Sequence, residues 1–242
     1  MIWTGFSISR GSSVAGRIVL GLDNAFDFLN IALTRDGSLL EERHIRPHDP
    51  PSQTISSEVS GILSYHECNV QDLSLIVVSL GPGSFTGIRV GLAFCKGLAA
   101  GKNIPLIGVP TLDALASPFS FLNDYHLCPL IDAKKGEVFF ALYRVTEGRI
   151  DRISGYQAIR PANLPAVIKT PCVCFGTGVS LCRDILSSLP GVVFVKEGFS
   201  RISGEVLIRE GLRIAERGVG YDLKPIYGRR SEAEIKFDVK VT

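Results

Sequence analysis

The sequence predicts an α/β protein built from two duplicated lobes, each a mixed β-sheet with helices. Three observations carry the prediction. The segment VLGLDNAFDFLNIALTRDG is echoed by PLIDAKKGEVFFALYRVTEG, with Asp23 nine residues before Ala32-Leu33 and Asp132 nine residues before Ala141-Leu142. In both segments the Asp ends an apolar strand and the Ala-Leu pair lies in the next strand, and both segments are followed by strands alternating with helical patterns. The length of 242 residues suffices for two small cores. The expected boundaries are a leader over 1–17, an N-terminal lobe over 18–114, a C-terminal lobe over 115–225 and a tail over 226–242.

The leader, MIWTGFSISRGSSVAGR, has no acidic residue and no apolar core of signal-peptide length, so it reads as disordered, with a transit peptide as the lesser alternative. From Arg17 an apolar strand runs to Leu22, a second covers about Phe28 to Leu33, and a third follows the Asp36-Gly37 turn, an antiparallel meander. HIRPHDPPSQ is a proline-broken loop. Ile55, Val59, Ile62 and Leu63 recur at helical spacing, which predicts a helix from Ile55 to His66. LSLIVVSL is a buried strand, followed by the turn GPGSFTG and a helix starting near Gly87. IPLIGV is the next strand, after which Thr111 is expected to cap the helix LDALA. The second lobe repeats the plan with a Lys134-Lys135-Gly136 turn, a strand EVFFALYRV and a third strand near RIDRISGY. TPCVCFGTGVSLCRDILSSL then reads strand, glycine turn, helix; GVVFV and SGEVLIREGLRIAERG supply a last strand and a long helix.

Net charge is +2 and the isoelectric point about 8.2, with Lys and Arg scattered singly, so no block of charge marks a nucleic-acid groove. No run of 18 apolar residues exists, which excludes a membrane-spanning helix. The six cysteines (Cys68, Cys95, Cys128, Cys172, Cys174 and Cys182) sit mostly in apolar segments. Cys172 and Cys174 share one face of a strand, and burial explains them better than metal binding; a reducing cytoplasm is the expected location.

The duplicated plan resembles the actin and hexokinase superfamily (ASKHA, RNase H-like), in which turns of both lobes embrace nucleotide phosphates and acidic residues hold Mg²⁺. That resemblance makes Asp23 and Asp132, with Gly176 and Gly178 of the GTGV turn, candidate nucleotide-binding residues. The first turn, Asn24-Ala25-Phe26-Asp27-Phe28, is a poor phosphate cradle, because two bulky aromatics and a second carboxylate stand where small donors are needed. Gly136 serves a tight hairpin as well as it serves an anion, and the glycines of GTGV suit a strand-to-helix turn as well as an adenine or ribose. His44 and His48 are four apart, but Pro47, Pro50 and Pro51 deny them a shared helical face. His66 and His126 have no evident companion.

GPGSFTG is neither a P-loop, which would need a lysine after its last glycine, nor a dinucleotide fingerprint. Ser84 or Thr86 can cap the helix that follows. Within that helix Gly87, Gly91, Cys95 and Ala99 recur every four residues as a strip of small side chains, flanked by apolar residues that include Ile88 and Leu92. Glycine in a helix interior costs roughly 1 kcal/mol against alanine, so the strip asks for a packing partner. The partner is either the lobe's own sheet or a second subunit. On the second reading Gly87, Ile88, Gly91, Leu92, Cys95 and Ala99 form the dimer interface.

GPGSFTGIRVGLAFCKGLA, IPLIGVPTLDALA, LIDAKKGEVFFALY and PIYGRRSEAE, in this order, identify the chain as similar to the bacterial TsaB (YeaZ) family over about residues 18–235. Two departures stand out: Asn24-Ala25 in place of Thr-Ser after the first Asp, and Gly228 in place of a usual Leu. The resemblance implies an actin-like fold and a noncatalytic scaffold or dimerisation subunit that pairs with a TsaD-like catalytic subunit and works with a TsaE-like ATPase. That complex attaches a threonylcarbamoyl group to N6 of the adenosine at position 37 of tRNA. The resemblance leaves open a homodimer, and ATP or ADP with Mg²⁺ at the subunit junction; it implies tRNA as an indirect partner only. TsaD-like relatives carry a His-x-x-x-His metal pair where this chain has Thr111 and Leu115, so the metal ligands are missing there. The competing readings are an ATP-dependent kinase or carbamoyl transferase acting alone, and a direct tRNA binder.

Overall fold

A computed structural model describes residues 16–46, 51–196, 202–218 and 222–229. The leader up to residue 15, His48 and the tail beyond 229 lie outside the described residues. The chain divides into two compact units. Among the described residues, those before Leu80, Val90–Val109 and Ser203–Lys224 form the first; Leu80–Arg89, Pro110–Ile202 and those from Pro225 onward form the second.

In the first unit, β1 (Ile18–Asp23) lies between β2 (Leu29–Arg35) and β4 (Leu73–Ser79), antiparallel to one and parallel to the other. It is buried along its whole length, which is why its sequence is continuously apolar rather than alternating. β3 (Ser38–Ile45) pairs antiparallel with β2, and β5 (Leu106–Val109) pairs parallel with β4, so the order is β3-β2-β1-β4-β5. α1 spans Pro51–Tyr65, and α2 spans Phe85–Lys102, with its residues from Val90 onward in this unit.

The second unit repeats the plan. β6 (His126–Lys134) is central, antiparallel to β7 (Glu137–Phe140) and parallel to β11 (Cys172–Phe175), which pairs parallel with β12 (Val192–Phe194). The expected single strand EVFFALYRV is instead two. β7 pairs the C-terminal end of β6, the chain breaks at Ala141-Leu142, and β8 (Tyr143–Thr146) pairs the N-terminal end. β9 (Arg149–Arg152) extends β8, and β10 (Gln157–Ile159) takes the outer place beside β7 that β3 takes beside β2. α3 (Thr111–Ala116) follows Pro110, and α4 (Val179–Leu186) follows the β11 turn. Thr111 is the first helical residue, fully buried, and its hydroxyl has no partner among the described residues. It therefore does not cap the helix as its sequence position suggests.

The division at residue 114 needs correction. α5 (Gly204–Glu216) belongs to the first unit, where glycines bring its backbone down onto the sheet. A Cβ at Gly211 would stand 2.5 Å from Val77 Cγ1, and one at Gly204 would stand 2.7 Å from Ala32 Cβ. Conversely, residues 80–89 and the segment from Pro225 belong to the second unit, where the Ile226 amide donates to the Leu80 carbonyl at 2.7 Å. All six cysteines are free and buried, and desolvation pushes the thiols of Cys95 and Cys182 up to about 12. Cys128, Cys172, Cys174 and Cys182 pack with Leu130, Phe140 and Leu164 in the core of the second unit, as the apolar context of these cysteines predicts.

Candidate functional site

Asp23 ends β1 with no solvent exposure. Its Oδ1 accepts from the Ala25 amide at 3.1 Å and from the Ser79 hydroxyl at 2.5 Å, and its Oδ2 accepts from Asn30 Nδ2 at 3.0 Å. With the Asn30 amide nitrogen committed to Asp23, its Oδ1 faces His44 Nδ1, which must carry the proton and donate. The His44 ring stacks on Phe28 at 4.5 Å, and the Arg46 guanidinium lies 5.6 Å over Phe28. Asn30, Ser79 and His44 are partners that sequence reading missed. They follow from register, because Asn30 stands opposite Asp23 on β2, His44 opposite Asn30 on β3, and Ser79 ends the neighbouring β4.

Both carboxylate oxygens of Asp23 are thus committed to protein donors inside a closed core, an arrangement that does not fit direct ligation of Mg²⁺. Burial raises the Asp23 pKa above 3.8, outweighing the hydrogen bonds from Ser79, Asn30 and Ala25 and the charge of His44. The folded chain therefore holds this proton at pH values where the unfolded chain has released it. The stability that the proton supplies is complete below 3.8 and is lost as pH rises toward the folded pKa. Asp23→Asn should flatten that part of the pH dependence. Urea melts of both chains from about pH 4 to about pH 7 check this, and parallel stability curves would exclude it.

In the second unit, Asp132, Gly176 and Gly178 come together. The Asp132 amide donates to Thr177 Oγ1 at 3.2 Å, and the Gly178 amide donates to the Leu130 carbonyl at 2.9 Å. The Asp132 carboxylate is held by its own turn, accepting from the Lys134 amide at 2.7 Å with Lys134 Nζ at 3.5 Å. Lys135 and Gly136 both have positive φ, 55° and 76°, between the paired Lys134 and Glu137, so the glycine here serves a two-residue hairpin. Gly176 has φ 104°, and a Cβ there would sit 2.3 Å from the Leu130 carbonyl oxygen; one at Gly178 would sit 2.9 Å from Val138 Cγ1. Close approach of the chain to β6 accounts for both glycines. Asp23 belongs to the other unit.

Ser84 caps α2 as expected, its hydroxyl accepting from the Gly87 amide at 3.2 Å. The predicted interface strip faces inward. Gly87, Ile88, Gly91, Leu92, Cys95 and Ala99 are all buried within the chain, and a Cβ at Gly91 would lie 3.2 Å from Leu22 and 3.4 Å from Asn24. At Gly91 the missing side chain lets α2 settle against Leu22 and Asn24, so the strip is buried within the chain rather than open at its surface. The outward face carries Arg89, Ala93, Lys96, Gly97 and Ala100, with Val90, Phe94 and Leu98 half-buried beside it, and nothing lies within 4 Å of a Cβ placed at Gly97 or Gly101. Tyr65, at the end of α1, is 76% exposed.

Thr111 and Leu115, where a His-x-x-x-His pair would stand, are buried at 0% and 5% exposure in α3. Among the described residues no group of three or more His, Cys, Asp or Glu side chains could hold a metal ion. No helix among them is long and apolar enough to cross a membrane.

The family model described as "TsaD: tRNA N6-adenosine threonylcarbamoyltransferase" matches residues 48–171. The tRNA threonylcarbamoyladenosine biosynthesis protein TsaB of Bacillus subtilis is 28% identical over 227 residues, which cover 90% of this chain and 97% of that protein. TsaB of Escherichia coli is 34% identical over 133 residues, covering 54% of this chain and 57% of its own length. Among solved structures, YeaZ from Pseudomonas aeruginosa superposes with a TM-score of 0.70 at 21% identity, over 87% of this chain and 99% of that one. A second Pseudomonas aeruginosa structure, of an uncharacterized protein with similarity to peptidase YEAZ, has a TM-score of 0.72 at 22% identity, over 88% and 100%. The likeness to these two structures is one of fold.

Proposed function

We propose that this chain, which belongs to the TsaB (YeaZ) family within the group matched by the TsaD model, is a noncatalytic partner subunit in tRNA threonylcarbamoyladenosine biosynthesis. It pairs with a TsaD-like catalytic subunit, works beside a TsaE-like ATPase, and contributes a scaffold rather than a reaction centre. The observation that carries this reading is the packing of Thr111 and Leu115. Where catalytic relatives present two imidazoles to a metal, this chain buries a threonine and a leucine in α3, and neither can replace a neutral nitrogen ligand. The closed Asp23 network supports the same reading against an ATP-dependent kinase or carbamoyl transferase acting alone, because the carboxylate that such an enzyme would turn toward Mg²⁺ is consumed by Ala25, Asn30 and Ser79.

The pairing surface we assign is the outward face of α2 around Ala93 and Gly97. Side chains there are small enough for a foreign helix to approach closely, and half-buried Val90, Phe94 and Leu98 supply apolar flanks. Copurification of the full chain from its native host, with partners identified by mass, tests the reading. Recovery of a TsaD-like protein in stoichiometric amount is expected. Threonylcarbamoylation of tRNA by the purified chain alone would overturn it.

A further inference from the structure

We propose that Cys128, Cys172 and Cys174 form an oxidation site in the second unit, where a peroxide joins Cys128 to Cys174 as a cystine across β6 and β11, independently of any scaffold role. Alternation along the strands puts His126 and Cys128 of β6 on one face with Cys172 and Cys174 of β11. Register sets His126 opposite Cys172 and Cys128 opposite Cys174. The three sulfurs meet: Cys128 is within hydrogen-bond reach of both Cys172 and Cys174, and these two of each other. All three belong to one core cluster, with Cys182 of α4.

One pair of the three suits a lasting bond. Facing residues on neighbouring strands have Cα atoms about 4.8 Å apart, inside the range of about 4.4–6.8 Å that a disulfide spans, and Cys128 faces Cys174. Cys172 and Cys174 are two residues apart on one strand, which keeps their Cβ atoms about 6.6 Å from each other, too far for the spacing of about 4 Å that a disulfide needs. Cys128 and Cys172 are diagonal neighbours with Cα atoms about 8 Å apart, so a bond between them is strained and labile.

Cys172 supplies the nucleophile. Its sulfur accepts from Cys128 and Cys174, and those hydrogen bonds hold its thiol down at about 5, while the contacts with Cys172 and Cys174, together with burial, push Cys128 well above the ordinary thiol value. His126 marks the way in. It is half-buried at the start of the row, and both of its ring nitrogens are buried without a hydrogen-bond partner among the described residues. Buried polar atoms left unpaired favour a small polar guest, and a peroxide, like water, both donates and accepts.

The Cys172 thiolate attacks one peroxide oxygen, giving Cys172 sulfenic acid and hydroxide, which takes the Cys128 proton and becomes water. The Cys128 thiolate then attacks the Cys172 sulfur and expels a second hydroxide, which takes the Cys174 proton. Last, the Cys174 thiolate attacks the Cys128 sulfur, closes the Cys128–Cys174 bond and releases Cys172 as the thiolate it was. Each of two thiols gives up one electron, the peroxide is reduced to two waters, and Cys172 serves first as the attacking and then as the leaving group.

The test treats the full chain with hydrogen peroxide under native conditions and maps its peptides without reduction. The expected product has lost two hydrogen atoms, joins Cys128 to Cys174, and returns to six free thiols on reduction. Cys95, buried in the first unit with its thiol pushed up to about 12, should stay reduced. Cys172→Ser should slow formation of the bond about tenfold or more. A peroxide-treated chain without the Cys128–Cys174 bond would overturn the inference, and because this map is made on the unmodified chain it decides the matter even where a serine variant fails to fold. An unchanged rate in Cys172→Ser would overturn the role of Cys172 as nucleophile.

Discussion

A Gly97→Arg chain is expected to lose a TsaD-like partner by about 100-fold or more in affinity, about 2.7 kcal/mol, while melting no lower than the unmodified chain. Gly97 is on the outward face of α2, and nothing lies within 4 Å of the Cβ that Arg would add. In the isolated chain the new side chain extends into water, and replacing a helical glycine with a good helix former raises stability by up to about 1 kcal/mol. At a helix–helix seam the same guanidinium either holds the helices apart or is buried without a partner, and a buried unpaired charge costs about 3 to 5 kcal/mol. Gly91→Arg, six residues earlier on the same helix, is the informative contrast. Its Cβ would press on Leu22 and Asn24, so this change strikes the fold before it strikes any partner. Titration calorimetry with the catalytic subunit, beside thermal melts of both variants, separates the two. Undiminished pairing by Gly97→Arg would remove this face of α2 from the interface.

The contrast between these glycines also shows what sequence could and could not reveal. The repeated Asp-to-Ala-Leu spacing located two lobes correctly, because β1 and β6 each sit at the centre of a sheet and need the same apolar run and the same turn. Periodicity likewise found the small-residue strip of α2, but it reports only that one face differs from the others. Whether that face meets its own sheet or another molecule depends on Leu22 and Asn24, roughly 70 positions away. The same distance effect hid the unit boundary, since α5 reads as the end of the second lobe and packs on β1 through Gly21 and Ile208. Asp23 was recognisable as a strand-end acid, yet its burial follows from Asn30 and Ser79 on two neighbouring strands. Single basic residues at 89 and 229 read as scattered charge, and only the fold sets Arg89 over Phe85 and Arg229 over Phe139.

Gly176→Ala is expected to cost about 3 kcal/mol or more of stability, several times the cost of Gly136→Ala. Both glycines have positive φ, 104° and 76°, so both substitutions force an L side chain into backbone space it avoids, a penalty of about 1 to 2 kcal/mol. At Gly136 that is the whole effect, because nothing lies within 4 Å of the added methyl. At Gly176 the methyl would stand 2.3 Å from the Leu130 carbonyl oxygen, inside van der Waals contact with rigid backbone at the centre of the second sheet, so the β11–α4 turn must lift off β6. Lifting it also breaks the Gly178 amide bond to Leu130 and pulls Thr177 from the Asp132 amide. Denaturant titration of the two variants measures the difference directly. If the glycines of this turn existed to admit an adenine or ribose, Gly176→Ala would cost the free chain only the positive-φ penalty and would also weaken a nucleotide complex; a loss near that of Gly136→Ala would therefore favour the ligand over the packing explanation.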